Sequence, residues 1–179
     1  GFDHSDGKEF DLLVAAFVGI SESDQATIFK TINSTQKGVN PSLIYDLIPL
    51  TKDAEYPTDR AQELVKALNE DEDSPWRNLI KMLGTGRGLI SQAALVGEIK
   101  HLLLSDESIF KEATEGDQIT MLKDYFGALR ELFPTAWASK KHVLCKTLGV
   151  AAAFRLMPRV LTLCLLRNNF SLATMKEFL

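Results

Sequence analysis

Three polar side chains, Asn33, Gln36 and Lys37, stand at the joint between two stretches of helical spacing. The residues from Gly38 to Pro41 are typical of the end of one helix and the start of the next. Amides can contact base edges or phosphate oxygens, and an ammonium group can pair with a phosphate. We therefore predict a ligand contact at this joint. The alternative is that Asn33 caps the helix end and the other two side chains are solvated.

A second candidate is the glycine-rich segment Gly84–Gly88, whose sequence is GTGRG. Glycines let backbone amides approach an anion closely, and Arg87 stands where its guanidinium group could assist. The segment lacks the spacing of a P-loop and that of a dinucleotide-binding fingerprint. It predicts a small anion site, and a plain turn is the alternative.

A third candidate is a cationic segment before an apolar helix. Lys140, Lys141, His142 and Lys146 precede Thr147, where the helix dipole disfavours cations. Cations at a helix start destabilise the helix, so their presence there is better explained if an anion binds to them. The alternative is a loop with solvated ammonium groups. Two arginines, one turn apart, would extend the basic stripe along the same helix: Arg155 and Arg159.

No arrangement of residues in the sequence is typical of an enzyme. His4, His101 and His142 have no metal-ligand spacing, and neither cysteine belongs to a C-x-x-C pair. A G-x-S-x-G nucleophile motif is absent, and the carboxylates cluster in an acidic stretch rather than among apolar residues. We expect Trp76 and Trp137 to pack in the core rather than to stack on bases. The sequence predicts no metal or other cofactor and leans away from catalysis.

The charged residues are distributed unevenly along the chain. The 179 residues carry a net charge of −4, and the contents of 45% hydrophobic and 25% charged residues fit an ordinary globular protein. Residues 55–73 contain seven acidic side chains against Arg60 and Lys66, whereas residues 136–179 contain seven lysines or arginines against Glu177 alone. A negative net charge of the whole chain is therefore compatible with a local basic surface that binds phosphates. The alternative is that the charges are scattered on solvated faces.

Neither secretion nor membrane insertion is indicated. We expect no signal peptide, because a basic segment followed by an apolar one is absent at the start. The longest apolar tract, Leu148–Leu166, contains Arg155 and Arg159, which would be costly inside a bilayer. We predict a buried or amphipathic helix there. Cys145 and Cys164 fit helical patterns rather than a disulfide framework, which favours a reducing cytoplasm.

The fold expected from these patterns is α+β and predominantly helical. The apolar run Phe10–Ile20 predicts a buried strand, with a short buried helix as the alternative. The residues that flank GTGRG predict a small hairpin or a strand-to-helix turn. A second copy of the chain is expected to cover any exposed sheet edge, which would make a homo-oligomer. The acidic loop before Pro75 divides an N-terminal α/β lobe, residues 1–73, from a helical lobe, residues 74–179.

Caps and apolar spacing predict several helices. The first begins with a capping pair, Ser21 and Asp24. Its apolar residues Ala26, Phe29 and Ile32 recur at helical spacing, so we expect them to face a core. We expect Pro158 to bend the last long helix, because proline removes a backbone donor. We expect Thr58 and Asp117 to cap two further long helices. Two more helices are expected to span Leu89–Leu104 and His142–Arg167, and a short terminal helix is expected to start at Ser171.

Three segments of the chain carry a resemblance to a known family. The spacing F-x-x-I-N-x-x-Q-K-x-V, from Phe29 to Val39, resembles the region downstream of the signature in DGQHR-domain proteins. Residues 74–96 and 146–154 also resemble that family, in the matching order. The family includes DndB-like regulators of DNA sulfur modification and is distantly related to ParB-like nuclease folds. The Asp-Gly-Gln-His-Arg string does not occur in this chain, so we expect a C-terminal portion that lacks the signature.

The resemblance implies a bacterial, cytoplasmic DNA-binding protein that takes part in transcriptional regulation of a DNA modification and restriction locus. It also implies that residues 1–73 are a truncated ParB-like remnant. Two alternatives stay open. One is a nuclease or nucleotide hydrolase on a ParB-like fold, inactive in this fragment and dependent on Mg²⁺ and the signature residues; the other is an interaction domain whose acidic face, Glu55–Asp73, docks a protein. The residues expected to contact nucleic acid are Asn33, Gln36, Lys37, Arg87, Lys146 and Thr147.

Overall fold

The computed structural model describes residues 16–35, 42, 56–82, 88–106 and 108–179 of the chain. These residues form seven helices and two short strands. The helices are α1 Glu22–Thr35, α2 Thr58–Glu70, α3 Gln92–Leu104, α4 Ile109–Glu112, α5 Glu115–Leu132, α6 Thr147–Leu166 and α7 Leu172–Phe178. The strands are β1 Ile80–Lys81 and β2 Ile90–Ser91. The expected class, α+β and predominantly helical, is confirmed.

The two strands pair in parallel, with Ile80 opposite Ile90. A hairpin needs antiparallel strands, so that expectation is wrong, and the alternative of a strand-to-helix turn is confirmed because β2 leads directly into α3. Gly88 is required at this turn, since a Cβ there would lie 2.6 Å from the carbonyl carbon of Ile80. Because Ser91 pairs with β1 and caps α3, the helix begins at Gln92 rather than at the expected Leu89.

The core lies where α2, α3, α5 and α6 pack together. α2 contacts α3 and α5, α3 contacts α6, and α7 closes on α5 and α6. Trp76 is fully buried, with its ring centroid 5.3 Å from that of Phe126 and 4.9 Å from that of Trp137. Phe126 also meets Phe154 of α6, at a centroid separation of 5.2 Å. Trp76 lies in the core and the partly buried Trp137 packs against it, so the expected packing role of both tryptophans is confirmed.

Helix α2 belongs to this same core. The Arg60 Nε donates to Oε1 of Gln118 on α5 at 2.9 Å, and the Lys123 Nζ donates to the Asp71 carboxylate at 2.8 Å. A boundary after residue 73 therefore does not separate α2 from the helical lobe, and the rest of the predicted division into lobes stays a prediction. The apolar side chains that α2 contributes to the core are Ala61, Leu64, Val65 and Leu68.

The strand expected over residues 10–20 is wrong for the part that the structure describes. Residues 16–20 are irregular, and the side chains of Phe17 and Val18 are 57% and 91% exposed. Gly19 has a φ of +77°, a left-handed conformation that interrupts an extended strand. Residues 10–15 lie outside the described residues, and a homo-oligomer formed through a sheet edge stays a prediction.

Two helix starts follow the sequence prediction. At α1 the Ser21 hydroxyl donates to the Asp24 carboxylate at 2.6 Å, and the Asp24 amide donates back to the Ser21 oxygen at 3.2 Å. At α7 Ser171 is the N-cap, and its hydroxyl oxygen accepts from the amide of Thr174. Both caps are contacts between residues three apart, which a short sequence pattern is enough to specify.

The apolar residues of α1 face a core only in part. Ala26 is buried as expected, whereas the side chains of Phe29 and Ile32 are 44% and 46% exposed. The expectation that all three face a core is therefore wrong for Phe29 and Ile32.

Two other helix starts differ from the prediction. α5 is capped by Thr114 rather than by Asp117, which is the third helical residue and accepts from the Thr114 hydroxyl at 2.6 Å. α2 begins at Thr58, but the N-cap position is occupied by Pro57, which makes no side-chain hydrogen bond. In both cases the predicted capping residue lies inside the first turn, and the N-cap position is an earlier residue.

Candidate nucleic-acid interface

The structure describes only some of the residues predicted to contact nucleic acid. Asn33 belongs to the last turn of α1, Lys146 is the N-cap of α6, and Thr147 is the first residue of α6. The structure therefore places two of the predicted contacts together at one helix start. A surface shared by all six stays a prediction, because the remaining three lie outside the described residues: Gln36, Lys37 and Arg87.

A basic loop, residues 138–146, leads into α6. Its entry is anchored by Trp137, whose indole N–H donates to the Pro75 carbonyl at 3.2 Å. Ala138 follows with a φ of +57°, and its amide donates to the Cys145 Sγ at 3.4 Å. This contact holds the two ends of the basic loop together beside the core, so that the residues between them are presented to solvent.

The basic loop folds back onto the first turn of α6. A Cβ at Gly149 would lie 2.2 Å from the carbonyl oxygen of Val143 and 2.8 Å from the Cα of Leu144. Only glycine allows the two backbone segments to approach this closely. The Lys146 amide donates to the Val143 carbonyl at 2.9 Å. The helix start expected at His142 is therefore wrong, because the chain turns against α6 before it enters the helix.

The lysines of the basic loop are exposed and unpaired. Lys140, Lys141 and Lys146 are exposed, and none of them forms an ion pair with a described residue. From Leu132 to Lys176 the sequence contains neither Asp nor Glu. Within this acid-free segment, no carboxylate is therefore present to neutralise the three ammonium groups.

The start of α6 has neither a side-chain cap nor an acidic group. Lys146 makes no capping hydrogen bond, and no acidic residue lies in the first turn. The other long C-terminal helices differ, since Ser91 caps α3 and Thr114 caps α5. Lys146 therefore occupies the positive end of the α6 dipole, and Lys140 and Lys141 belong to the loop that leads into it, an arrangement that attracts an anion.

Two arginines continue along α6 on its outward face. Arg155 and Arg159 are exposed, and neither forms an ion pair with a described residue. They lie more than two turns beyond the basic loop, since an α-helix has about 3.6 residues per turn. The same face carries exposed leucines, including Leu148 and Leu166, so it is not purely a basic stripe.

The acidic segment before residue 74 is partly neutralised. The hydrogen bond from Lys123 holds the pKa of the Asp71 carboxyl below its usual range. The acidic face predicted to dock a protein therefore presents fewer free carboxylates than the sequence suggests. Three of its acidic side chains are in ion pairs: Glu63 with Arg60 at 3.0 Å, Glu72 with Arg77 at 3.0 Å and Asp71 with Lys123 at 2.8 Å.

The described residues contain neither a cluster of metal-ligating side chains nor a cysteine whose pKa is lowered. Among them, no group of three His, Cys, Asp or Glu side chains is placed to hold a metal ion. Cys145 and Cys164 are free and buried, and burial raises the pKa of both thiols. A raised pKa disfavours the thiolate, which is the reactive form of cysteine.

One unusual carboxyl group was missed by the sequence analysis. Burial raises the pKa of Asp124, although the neighbouring Lys123 lowers it in part. Asp124 shares a cleft of about 250 Å³ with Lys123 and Arg130. Its position directly before the buried pair Tyr125 and Phe126 is the sequence signal that could have identified it.

Among the described residues, α6 is the one helix whose length and composition would allow it to cross a membrane. Its mean hydropathy is 1.6. This is a weak indication, because a core helix passes the same test. One face of α6 is buried against the core and the other is exposed. The predicted amphipathic helix is therefore confirmed.

The interpretation of this surface rests on its own geometry and on the sequence. Comparisons with protein-family models, with curated proteins and with solved structures give no match for this chain.

Proposed function

We propose that the protein binds DNA, with the basic loop and the start of α6 contacting phosphates. One observation carries the proposal: the exposed side chains of Lys140, Lys141 and Lys146 form no ion pair with a described residue, and they lie in an acid-free loop that leads into an uncapped helix start. Phosphates would neutralise ammonium groups that no described carboxylate neutralises. The resemblance to DGQHR-domain proteins supports the same ligand.

An extended polyanion fits this surface better than a small anion. The ammonium groups stand on an exposed loop rather than around an enclosed pocket, so successive phosphates can meet them at the same time. Lysine acts as a flexible point charge and fixes the position of the DNA without reading its sequence. Base contacts would fall to amide side chains, for which Asn33 and Gln36 stay the predicted candidates.

The wider role that we propose is regulation of a DNA modification and restriction locus, as in the family that the sequence resembles. The two alternatives have less support. A nuclease or nucleotide hydrolase would need the signature residues, which this chain does not contain, and the acidic docking face is partly neutralised by Arg60, Arg77 and Lys123. In this proposal the contacts outside the basic loop stay predictions: Asn33, Gln36, Lys37, Arg87 and Thr147.

The proposal is tested by the salt dependence of DNA binding. The affinity of the full chain for a fluorescent DNA duplex is measured by anisotropy over a series of salt concentrations. For the triple variant Lys140→Gln, Lys141→Gln and Lys146→Gln we expect weaker binding. The slope of log affinity against log salt should also become shallower, by roughly 0.9 for each phosphate that the variant no longer neutralises.

A matched control removes the same total charge elsewhere. Lys30, Lys66 and Lys100 form no ion pair with a described residue and lie outside the basic loop. Their triple replacement by glutamine should leave the salt slope close to that of the unaltered protein. Equal losses in both triple variants would assign the binding to net charge alone and would overturn the proposed site.

A further inference from the structure

The outward face of α6 presents a stripe of exposed side chains that no described element covers. The residues of this outer stripe recur at alternating spacings of four and three, as along the seam between two packed helices. The stripe extends over about 27 Å, because an α-helix rises about 1.5 Å per residue. Its members are Leu148, Ala152, Arg155, Arg159, Thr162 and Leu166.

The outer stripe has apolar residues at its two ends and charged residues near its middle. The terminal residues Leu148 and Leu166 are 75% and 79% exposed, whereas Arg155 and Arg159 lie near the middle. Beside Arg155 a cleft of about 390 Å³ opens between α3 and α6. Glu98 lines this cleft but forms no ion pair with Arg155. The outer stripe therefore combines two cations that pair with no described carboxylate and an apolar residue at each end.

A membrane surface fits this order of residues poorly. Arg155 and Arg159 lie on the centre line of the outer stripe, so they would be the deepest side chains if this face were pressed into a bilayer. Helices that lie in a membrane interface instead place their cations on the polar face, away from the acyl chains. Burying the two arginines at the centre of the contact would be costly.

A second copy of the same stripe and a DNA backbone also fit poorly. The stripe is symmetric about its midpoint, so a two-fold antiparallel contact would place Arg155 opposite Arg159 of the second copy. Facing like charges disfavour such a contact. DNA phosphates would pair with the arginines but would leave Leu148 and Leu166 against charged groups and water.

We propose that the outer stripe docks an acidic amphipathic helix of a partner protein. The partner helix would carry two carboxylates near its middle and an apolar residue towards each end. In antiparallel contact its carboxylates pair with Arg155 and Arg159, and its apolar residues cover Leu148 and Leu166. The contact is one helix laid along an amphipathic surface. It is independent of DNA binding, because the lysines of the basic loop take no part in it.

The test uses two synthetic helical peptides of the same length as α6. The acidic peptide repeats the spacing of the outer stripe with glutamates in place of the two arginines, and the basic peptide has lysines at those positions. We expect the full chain to bind the acidic peptide at least about tenfold more tightly than the basic one, because facing like charges disfavour the latter. The double variant Arg155→Glu and Arg159→Glu should reverse this preference, and the reversal itself would show that the variant is folded.

A second variant tests the apolar ends of the stripe. Replacing Leu148 and Leu166 by alanine leaves the charges unchanged and should weaken binding of the acidic peptide. The control is Val18→Ala, at an exposed position before α1, which should leave the affinity for this peptide unaltered. The proposal is overturned if the charge reversal does not exchange the peptide preference. It is also overturned if Arg155 and Arg159 are needed for binding phosphatidylserine vesicles or a DNA duplex while neither peptide binds.

Discussion

The hydroxyl of Tyr125 on α5 donates a hydrogen bond of 2.6 Å to the carbonyl oxygen of Ala153 on α6. Tyr125 is fully buried, and this burial raises the pKa of its phenol above the ordinary value. Two of the long core helices are thus joined by a polar contact inside the core, and the donor must be protonated for the contact to exist.

We predict that this contact makes the stability of the protein sensitive to alkaline pH. The unfolded chain releases the Tyr125 proton near pH 10, whereas the folded chain retains it. Below about pH 10 the tyrosine is protonated in both states and does not make stability depend on pH; above it the free energy of unfolding falls as the pH rises, by up to about 1.4 kcal/mol per pH unit. Urea unfolding of the unaltered protein and of Tyr125→Phe, measured between about pH 8 and pH 11, checks the prediction.

The phenylalanine variant should lose about 1 kcal/mol at neutral pH, because one buried hydrogen bond is absent. Its free energy of unfolding should then fall less steeply with pH than that of the unaltered protein. The other titrating groups are common to both proteins, so the difference between the two curves belongs to Tyr125. Parallel curves would contradict the prediction.

Arg60 on α2 makes a second contact between helices, and the loss of stability on its removal should be measurable. Its Nε donates to the buried Gln118 side chain at 2.9 Å, and its Nη2 donates to the Glu115 carbonyl at 2.7 Å. Arg60→Ala leaves these acceptors without this donor, so we expect a loss of about 1–3 kcal/mol in the free energy of unfolding. Lys66→Ala, an exposed change on the same helix, should alter it by less than about 0.5 kcal/mol.

Thermal unfolding of Arg60→Ala also addresses the organisation of the chain. Because α2 shares the core of the helical lobe, the variant should still unfold in one transition, at a lower temperature. Two separate transitions, with only the first displaced, would instead indicate that α2 belongs to an independent N-terminal lobe.

The features that could be predicted from the sequence depend on neighbours a few residues apart. The capping pair at Ser21 and the start of the terminal helix at Ser171 both agree with the prediction, and both depend on contacts over three residues. The parallel pairing of Ile80 with Ile90 was not predicted, because it depends on the backbone contact of Gly88 with β1. Similarly, nothing in the sequence around Arg60 indicates its contact with Gln118, which lies 58 residues further along the chain.

The candidate site, like the fold, has features that the sequence predicts and features that depend on the folded structure. The three lysines of the basic loop were visible as a cluster in the sequence, but their lack of ion pairs depends on which carboxylates the fold brings near them. The apolar residues of α6 predicted an amphipathic helix, yet leucines occur on both of its faces. Which face the core covers was therefore decided by packing, and the outer stripe became apparent only when α6 was placed against α3 and α5.

The start of α5 allows a direct test of the cap assignment. Thr114 is the N-cap, and its hydroxyl oxygen accepts from the Asp117 amide at 3.2 Å. Thr114→Ala should therefore lower the free energy of unfolding by about 1 kcal/mol. Thr58→Ala serves as the control, because Thr58 is a first-turn residue rather than a cap; its effect, measured in the same urea titration, should stay within about 0.5 kcal/mol. Equal losses would contradict the assignment of Pro57 as the N-cap of α2.

The close contact at Gly149 separates the shape of the basic loop from its charge. A Cβ at this position would lie 2.2 Å from the Val143 carbonyl oxygen, a backbone atom that cannot move aside unless the basic loop is displaced. We expect Gly149→Ala to destabilise the protein by about 1–3 kcal/mol, and to lower the affinity for a DNA duplex although no charge has changed. Urea unfolding and fluorescence anisotropy measure the two effects.

The control for Gly149 is Gly97, in the interior of α3, where an added Cβ has no neighbour within 4 Å. Gly97→Ala should stabilise the helix by about 0.5–1 kcal/mol and leave the DNA affinity unchanged. If Gly149→Ala is destabilised as expected but binds the duplex as tightly as the unaltered protein, the lysines do not need the loop to be held against α6. DNA binding would then depend on charge density alone, and the geometry at the start of α6 would have no part in it.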